Sequence, residues 1–449
     1  MTCSRRLVMR LAEHQYRSVS AIRGPLLFLD RVFAARLGEL VRIEAPDGRN
    51  LSGEVLKISG EQVLIQVFGG TQGLDTHNTR VSFTDAVMRV PLGPGVLGRV
   101  FDGSFRPRDG LPMFIPEFRM PVLGAPINPV SRAHPVEFIE TGFSTIDGLN
   151  TLVKGQKLPI FSCSGLPARE MTDQILRQAR LTDGSDFVLV FVALGLTHFE
   201  YQFYQQTLEH MQSRFVAFTN LADDPVVERL LAPRLALTVA EDLAFRLAMD
   251  VLVIITDMTN YCDALREIST AREELPGRRG YPGHMYSDLA SLYERAGRIH
   301  NRKGSVTLLP IVTMPEDDIT HPIPDLTGYI TEGQIVLSRE LHQKGIYPPV
   351  DVLPSLSRLM QHGIGKGQTR NDHRDLANHL YRTYAKGCDL RRLEAVVGRD
   401  GMLDEDCRLL DFADRFETEF VHQGNRSRTI DNTLDTARQL LDEFREVTR

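Results

Sequence analysis

Residues 158–175 have the arrangement of a phosphate-binding loop. The short apolar segment from Leu158 to Phe161 leads into small residues and then into an amphipathic helix, in which Met171 and Ile175 are four residues apart. In a working loop, backbone N–H groups surround the phosphates, a Lys reaches the β/γ oxygens and a hydroxyl side chain binds Mg²⁺. The pattern therefore predicts the frame of a nucleotide site between a strand and a helix.

The side chains that this chemistry requires are missing. When the working pattern G-x-x-x-x-G-K-[ST] is laid on the loop, Ser162 and Pro167 fall at the glycine positions, Ala168 at the Lys position and Arg169 at the Ser/Thr position. Ala168 supplies no charge, and Pro167 removes a backbone N–H from the phosphate cradle. Gly165 remains, but we expect weak or absent Mg-ATP binding here. A coincidence of small residues between a strand and a helix is the alternative interpretation.

Asp257 matches a second part of a nucleotide site. It follows the apolar run 251–256, as does the Asp that organises Mg²⁺ and water at the end of the second strand in NTPases. For an isolated match, a core strand capped by a solvated Asp is the simpler interpretation. Because the run lies roughly 90 residues beyond the loop, we favour a relict of the NTPase strand.

The carboxylate that would polarise an attacking water has no counterpart in this chain. In related ATPases it belongs to a Gly-Glu-Arg segment after the strand, and its position here is Leu196. Glu200 is interpreted as a helix N-terminal carboxylate stabilised by the helix dipole. No general base and no metal site are therefore predicted in this region.

Arg358 belongs to a segment, residues 348–360, that we predict to be a rigid loop. Three prolines restrict its backbone, and Ser355 and Ser357 can form hydrogen bonds with backbone groups. Taken alone, Arg358 is most simply a surface ion-pair partner. Because the local site is defective, Arg358 could instead reach a nucleotide held by a neighbouring chain. An Arg supplied in trans to a γ-phosphate is worth roughly 10³–10⁵ in rate.

Composition narrows the class of protein. The 449 residues, 42% of them hydrophobic, and the formal net charge of -6 predict a globular protein of about two to four domains rather than a general nucleic-acid binder. The five cysteines lack C-x-x-C spacing, which indicates neither a disulfide framework nor a zinc site. The longest apolar run, 187–196, is shorter than the about 20 residues of a spanning helix. Any work at a membrane would therefore depend on other subunits.

The order of predicted elements divides the chain into four segments. These are an N-terminal extension (1–24), a β-barrel (25–90), an α/β domain with a parallel sheet (91–358) and a helical bundle (359–449). The strands predicted within the barrel and the parallel sheet are 40–45, 51–58, 63–68, 80–90, 158–161, 187–194, 215–219, 251–256 and 306–311.

Helical and irregular patterns account for the rest of the chain. Residues 99–155 contain many Pro and Gly and are predicted to wrap the next domain as extended structure. A helix is predicted over 286–299, where apolar residues recur on one side. Residues 376–384 and 430–444 also have helical spacing of apolar residues, which predicts the C-terminal bundle.

Several longer stretches resemble the B subunit, or beta chain, of V-type and archaeal A-type rotary ATPases. They are residues 141–161, 280–290, 292–299 and 314–335, and residues 348–357 are similar to the ATP synthase α/β signature. The similarity extends from near the N-terminus to the C-terminus. The resemblance implies a multidomain α+β and α/β protein with an N-terminal β-barrel, a central RecA-like domain whose P-loop is degenerate, and a C-terminal helical bundle.

The resemblance also implies where the chemistry takes place. In this family such chains alternate with catalytic A subunits in a three-plus-three ring around a rotating central stalk. Arg358 stands at the position of the family's Arg that contacts ATP bound, with Mg²⁺, mainly by the adjacent A subunit. The family's own loop is usually Phe-Ser-Gly-Ser-Gly-Leu-Pro, so Cys163 replaces a Gly. A Cys takes positive φ only at a cost, which disfavours a bound nucleotide further.

We therefore expect the non-catalytic, regulatory subunit of a rotary ATP synthase or ATPase that couples ATP synthesis or hydrolysis to proton or sodium transport. The expected partners are the A subunit, the central and peripheral stalk subunits and, through other subunits, a membrane-embedded rotor, with no nucleic acid. The expected location is the cytoplasmic side of a membrane, and the isolated chain is not expected to be an enzyme. A nucleotide-free scaffold remains an alternative, as does a self-sufficient hexameric ATPase of the secretion type, which Ala168 and Leu196 disfavour.

Overall fold

The structure, a computed structural model, describes residues 14–181, 187–211, 215–365 and 367–444. From the N-terminus it contains a β-barrel sheet, an α/β domain around a mostly parallel sheet, and a group of C-terminal helices. This is the predicted fold class. Within the described ranges, no helix is both long and apolar enough to cross a membrane.

The barrel sheet is antiparallel and has its own apolar core. Its strands are β1 (His14–Tyr16), β2 (Val19–Arg23), β3 (Leu26–Leu29), β4 (Glu39–Glu44), β5 (Asn50–Ser59), β6 (Gln62–Phe68) and β7 (Arg80–Val87), and their spatial order is β1-β7-β4-β5-β6-β3-β2. The strand predicted over 40–45 is confirmed as β4, and burial alternates there, because Val41, Ile43 and Ala45 are buried and Arg42 is exposed.

Two details of the barrel differ from the sequence analysis. The described part of the predicted N-terminal extension, residues 14–24, belongs to the sheet, because β2 pairs with β3 and β1 pairs with β7. The remainder of that extension lies outside the described residues. The strand predicted over 80–90 is two strands: β7 stays in the barrel, and β8 (Arg89–Leu92) pairs with β10 (Phe118–Pro121) in a separate sheet.

The remaining strands belong to the α/β domain. They are β9 (Arg99–Asp102), β11 (Arg132–Ala133), β12 (Phe138–Glu140), β13 (Leu152–Val153), β14 (Ile160–Cys163), β15 (Arg180–Leu181), β16 (Phe187–Leu196), β17 (Phe215–Leu221), β18 (Asp250–Thr256), β19 (Gly297–Ile299), β20 (Ser305–Met314), β21 (Gly333–Leu337) and β22 (Val350–Ser357).

The main sheet follows the order β22-β21-β14-β20-β18-β16-β17-β9. Along this path every neighbouring pair is parallel except β21–β22. The five strands predicted for this domain are confirmed as β14, β16, β17, β18 and β20. Helices cover both faces of such a sheet, which is why these strands read as continuous apolar runs.

The helices are α1 (Ser144–Asp147), α2 (Ala168–Gln178), α3 (His198–His210), α4 (Val226–Phe245), α5 (Met258–Ala271), α6 (Met285–Tyr293), α7 (Pro322–Ile330), α8 (Arg339–Gln343), α9 (Met360–Gly363), α10 (His373–Val397), α11 (Asp404–Arg415) and α12 (Ile430–Glu443). A π-helix, Phe416–Val421, continues α11, and short 3-10 turns lie at Pro94–Val96, Pro129–Ser131, Arg278–Gly280, Pro315–Asp317 and Arg399–Gly401.

Three predictions in the α/β domain need correction. The segment predicted as a rigid loop, 348–360, contains strand β22, which lies at the edge of the sheet, where a Pro within a strand costs little. The helix predicted over 286–299 ends at Tyr293, and β19 follows it. Part of the segment predicted as wrapping structure, 99–155, joins the main sheet as β9, parallel to β17.

The predicted C-terminal helices are confirmed. Leu380 and Tyr384 on α10 are buried, as are Leu434 and Ala437 on α12. Residues 423–428 lie between the π-helix and α12. The apolar faces of these helices are therefore buried, and Leu380, Tyr384 and Ala437 belong to the same core cluster as the α/β domain.

A cluster of charges joins the start of α10 to α12. Arg370 donates Nε and Nη2 hydrogen bonds to the Asp372 carboxylate at 2.9 and 3.0 Å. Arg370 also pairs with Asp435, and Arg438 of α12 pairs with Asp372. The bidentate contact with Arg370, together with the charge of Arg438, lowers the pKa of Asp372 to about 2. The ionised form of Asp372 therefore favours docking of α12.

We expect Asp372→Asn to lower the free energy of unfolding at pH 7 by about 1 kcal/mol, the upper value for a partly exposed ion pair. Because folding lowers the pKa of Asp372, its contribution is fully present above about pH 4 and is lost as pH falls towards 2. Urea unfolding of the unchanged protein and of the Asp372→Asn variant, at pH 7 and at pH 3, measures the difference in their free energies of unfolding. Asp389→Asn is the control, since that side chain is 78% exposed and 3.8 Å from Arg392. If the two free energies of unfolding differed as much at pH 3 as at pH 7, the stabilising role of ionised Asp372 would be contradicted.

Candidate functional site

The predicted phosphate loop lies where β14 ends and α2 begins. Ser162 and Cys163 are the last residues of β14, and α2 starts at Ala168. Gly165 has a φ of 80° and is the residue that turns the chain. The strain expected at Cys163 is absent, because Cys163 is still in the extended strand and the positive φ falls at Gly165. The frame of the loop is thus built without a strained residue.

The backbone N–H groups of the loop are largely used within it. The Leu166 N–H donates to the Cys163 carbonyl at 3.1 Å, and the Ala168 N–H donates to the Leu166 carbonyl at 2.8 Å. Pro167, between them, has no N–H. A phosphate cradle needs several such groups directed at the anion. Three consecutive positions of the loop therefore contribute no available donor.

Arg169 is engaged with its neighbours rather than with the loop. Its Nη2 donates to Glu170 Oε1 at 2.7 Å, and its guanidinium carbon lies 5.0 Å from the ring centroid of Phe203 and 5.5 Å from that of Phe199. Cation–π contacts of this kind hold the side chain over α3. The positive charge at the hydroxyl position is thus partly neutralised.

An ion pair fastens the loop from the other side. Arg339 contacts Asp317 through Nε and Nη2 at 2.9 and 3.1 Å, and the same Nη2 donates to the Ser164 carbonyl at 2.9 Å. Burial, together with the nearby Asp317 carboxylate, raises the pKa of the Cys163 thiol to about 11. Cys163 is therefore a neutral, unreactive thiol beneath a fixed loop.

Asp257 lies close to the loop and caps a helix. It is the residue before α5, and its Oδ1 accepts the Thr259 N–H at 2.8 Å. Both carboxylate oxygens also lie 3.2 Å from the Thr313 N–H on the adjacent strand β20. Burial raises the pKa of Asp257 above its ordinary value, and these hydrogen bonds only partly oppose the rise. The carboxylate is consequently occupied by backbone donors of the protein.

A polar cavity of about 230 Å³ joins these residues. The predicted site residues that line it are Ser162, Gly165, Ala168, Arg169, Leu196 and Asp257, together with Glu200. Parallel strands place their carboxyl ends at one edge of the sheet, which is why segments distant in sequence meet here. Tertiary structure thus assembles the nucleotide frame, but the loop's Lys and hydroxyl and the carboxylate before α3 remain absent.

The interpretation of Glu200 as a helix-end carboxylate agrees with its contacts. Its Oε2 accepts hydrogen bonds from Thr197 N–H at 2.9 Å and Thr197 Oγ1 at 2.8 Å, while the Glu200 N–H donates to Thr197 Oγ1 at 3.3 Å. These reciprocal contacts form a capping box at the start of α3. Glu200 therefore serves the helix end.

Sequence analysis did not find a second cavity of about 410 Å³ on the outer side of α2. It is lined by Tyr347 and Phe203 together with polar residues of α2, among them Gln174 and Arg177. The Tyr347 hydroxyl donates to Gln174 Oε1 at 3.2 Å. No spacing in the sequence relates Tyr347 to α2, since 173 positions separate it from Gln174. Only the fold brings them together.

Arg358 lies at the opposite end of the sheet from the loop. It follows β22, which runs antiparallel to β21 with Ser357 opposite Gly333, the first residue of β21. Since β21 is parallel to β14, the end of β22 lies beside the amino ends of the parallel strands. The phosphate-type loop lies at their carboxyl ends. Arg358 therefore cannot serve the cavity beside Gly165 in its own chain.

The guanidinium of Arg358 is exposed and only lightly held. Its Nη1 donates to the Thr331 carbonyl at 3.1 Å, and its backbone N–H donates to the Glu332 carbonyl at 2.9 Å. Among the residues that the structure describes, it forms no ion pair with a carboxylate. Beneath it, Gln156 Nε2 donates to Ser357 Oγ at 2.9 Å, and Ser357 Oγ donates to the Thr151 carbonyl at 2.9 Å. The backbone that carries Arg358 is thus held by hydrogen bonds, while its guanidinium has no carboxylate partner among the described residues.

Comparison with known families and structures gives concordant matches along the chain. The family models that match are the ATP synthase alpha/beta family β-barrel domain over residues 19–85, the nucleotide-binding domain of that family over 142–357, and the C-terminal domain of V and A type ATP synthase over 362–448. These models account for most of the chain and follow the three structural parts in order.

Individual relatives agree with the family matches. A V-type ATP synthase beta chain from Geotalea uraniireducens (strain Rf4) is 69% identical over 436 residues, which is 97% of this chain and 99% of the relative. The solved structure of NeqB, an ATP synthase subunit from Nanoarcheaum equitans, is 37% identical, covers 94% of this chain and 99% of its own, and superposes with a TM-score of 0.74.

We expect the isolated chain to bind Mg-ATP with a Kd weaker than about 1 mM, since the loop lacks the phosphate-binding Lys and three of its positions offer no backbone donor. Isothermal titration calorimetry measures this directly. The positive control is a chain with Ser162→Gly, Pro167→Gly, Ala168→Lys and Arg169→Thr, which restores the working pattern on the same frame. Saturable micromolar binding by the unchanged chain would contradict the prediction.

Proposed function

Because the chain belongs to the ATP synthase alpha/beta family, as a V-type beta chain, we propose that it is the non-catalytic, regulatory subunit of the rotary complex. In this proposal it alternates with catalytic A subunits in a ring, and it contributes Arg358 in trans to ATP bound by a neighbouring A subunit. ATP or ADP with Mg²⁺ is bound mainly by that partner. The isolated chain performs no turnover.

The observation that carries the proposal is the position of Arg358. The exposed guanidinium lies at the end of the sheet opposite the chain's own loop and pairs with no carboxylate among the described residues. An Arg with unused donors is suited to the charge that develops on a transferring phosphoryl group. The degenerate loop also supports nucleotide binding by the A subunit rather than by this chain, since Ala168 and Pro167 leave the local cavity without the groups that bind phosphate.

The wider role follows from membership of a rotary complex. Its ring couples ATP synthesis or hydrolysis to proton or sodium transport, through central and peripheral stalk subunits and a membrane-embedded rotor. The chain is held at the cytoplasmic side of the membrane by those other subunits. Nucleic acid has no part in this proposal, in keeping with the formal net charge of -6.

A nucleotide-free scaffold is the alternative with some structural support. The Arg339–Asp317 pair fastens the loop through the Ser164 carbonyl, and such a fixed loop would suit a purely structural subunit. A scaffold, however, gives no reason for an exposed Arg358 on a rigid base. A self-sufficient hexameric ATPase is disfavoured by the absence of the Lys and the catalytic carboxylate, at Ala168 and Leu196.

We expect Arg358→Ala to lower ATP turnover of the reconstituted complex at least about tenfold, a conservative bound for an Arg that stabilises the transition state in trans. Arg358→Lys should recover only part of the loss, because Lys cannot form a bidentate contact. Steady-state kinetics of complexes with verified subunit content measure both. Arg392→Ala is the control, since that side chain is 88% exposed and pairs weakly. Unchanged turnover with Arg358→Ala would favour the scaffold.

A further inference from the structure

The residue opposite Arg358 across the strands is acidic, yet it does not pair with it. Ser357 faces Gly333 in the antiparallel pair β21–β22, so the next positions outward are Arg358 and Glu332. The two backbones are in contact, because the Arg358 N–H donates to the Glu332 carbonyl at 2.9 Å. Opposite charges at such cross-strand positions normally attract each other. Some other contact must therefore engage the Glu332 carboxylate.

Lys157 engages both oxygens of that carboxylate. Its Nζ lies 2.6 Å from Glu332 Oε1, and its backbone N–H donates to Glu332 Oε2 at 2.8 Å. The Lys157 side chain is only 2% exposed, whereas that of Glu332 is 27% exposed. A buried ammonium needs a close carboxylate to offset its lost hydration. The pairing of Glu332 with Lys157 is thus favoured over a pairing with the exposed Arg358.

The charges around Lys157 balance without Arg358. Lys157 Nζ also lies 3.2 Å from Glu294 Oε1, and Arg132 Nη2 lies 2.8 Å from Glu294 Oε2. Two cations and two carboxylates therefore form a neutral chain that ends at Glu332. As a consequence, the positive charge of Arg358 is not compensated by the carboxylate of its cross-strand neighbour Glu332.

We propose that Lys157 is a positioning residue that keeps the Glu332 carboxylate away from Arg358. With Glu332 engaged, the guanidinium is available to an incoming phosphate oxygen. Without Lys157, Glu332 Oε1 would be unpartnered beside Arg358, and a phosphate would have to displace it. This inference rests on the proposed role of Arg358 in trans and adds the device that keeps that Arg unpaired.

The test compares Lys157→Met with the double variant Lys157→Met, Glu332→Gln in the reconstituted complex. We expect Lys157→Met to lower kcat for ATP by about fivefold, the upper value for one partly exposed ion pair that competes with the phosphate. The KM for ATP should change little, because the partner subunit holds most of the nucleotide. The double variant should recover kcat to within about twofold of the unchanged complex, since the competing carboxylate is gone.

A purely structural role of the Lys157–Glu332 pair gives a different result. In that case the double variant would be as impaired as Lys157→Met, and the inference would be overturned. Arg358→Ala, measured in parallel, separates the two proposals: unchanged turnover there would refute the role in trans itself. A fall with Arg358→Ala but none with Lys157→Met would refute only the role of Lys157.

A second pair of variants is used because Lys157 is buried and its replacement could prevent assembly. Leu356 is a half-exposed residue of β22, two positions before Arg358, which is also exposed and follows the strand directly. Leu356→Glu would place a new carboxylate beside Arg358 without disturbing the core, and Leu356→Gln is its uncharged match. We expect turnover to be about fivefold lower with Glu than with Gln at this position. Equal turnover would overturn the premise that a nearby carboxylate captures Arg358.

Discussion

The parallel pairing of β14 with β20 and β21 determines where every candidate residue of this chain lies. Parallel strands send all their carboxyl ends to one edge, so the loop after β14 and Asp257 after β18 meet there although they are far apart in sequence. Strand β22, which is antiparallel to β21, reverses this direction. It carries Arg358 to the amino-terminal edge of the same sheet. The length of the strands therefore separates the degenerate phosphate loop from the exposed Arg358.

The two edges use charge in opposite ways. At the loop, each of these two arginines has a carboxylate partner nearby: Arg169 pairs with Glu170 and packs on two rings, and Arg339 pairs with Asp317 and donates to a carbonyl. At the other edge, the buried Lys157 engages the nearest carboxylate, and Arg358 remains uncompensated. A buried charge must be paired, whereas an exposed one need not be. The burial of Lys157 therefore leaves Arg358, and not Lys157, as the cation without a carboxylate partner.

Several sequence predictions failed where a strand depends on a distant partner. Strand β22 contains a proline and looked like a loop, yet it needs only one neighbour, β21, at the edge of the sheet. Strands β1 and β2 are short, and only their pairing with β7 and β3 makes them part of the barrel. Strands with continuous apolar runs were found correctly, because burial on both faces leaves its own pattern in the sequence.

Residue types and local spacing alone determined the fold class, the frame of the phosphate loop and its missing groups, because a Lys or a hydroxyl is either present at a position or absent. The sequence also singled out Arg358. Only the tertiary structure decided that Arg358 and the loop lie at opposite edges, that Asp257 is occupied by backbone donors, and that Lys157 engages Glu332. These facts depend on strand direction and burial, which arise when segments hundreds of residues apart pack together, so no local pattern records them.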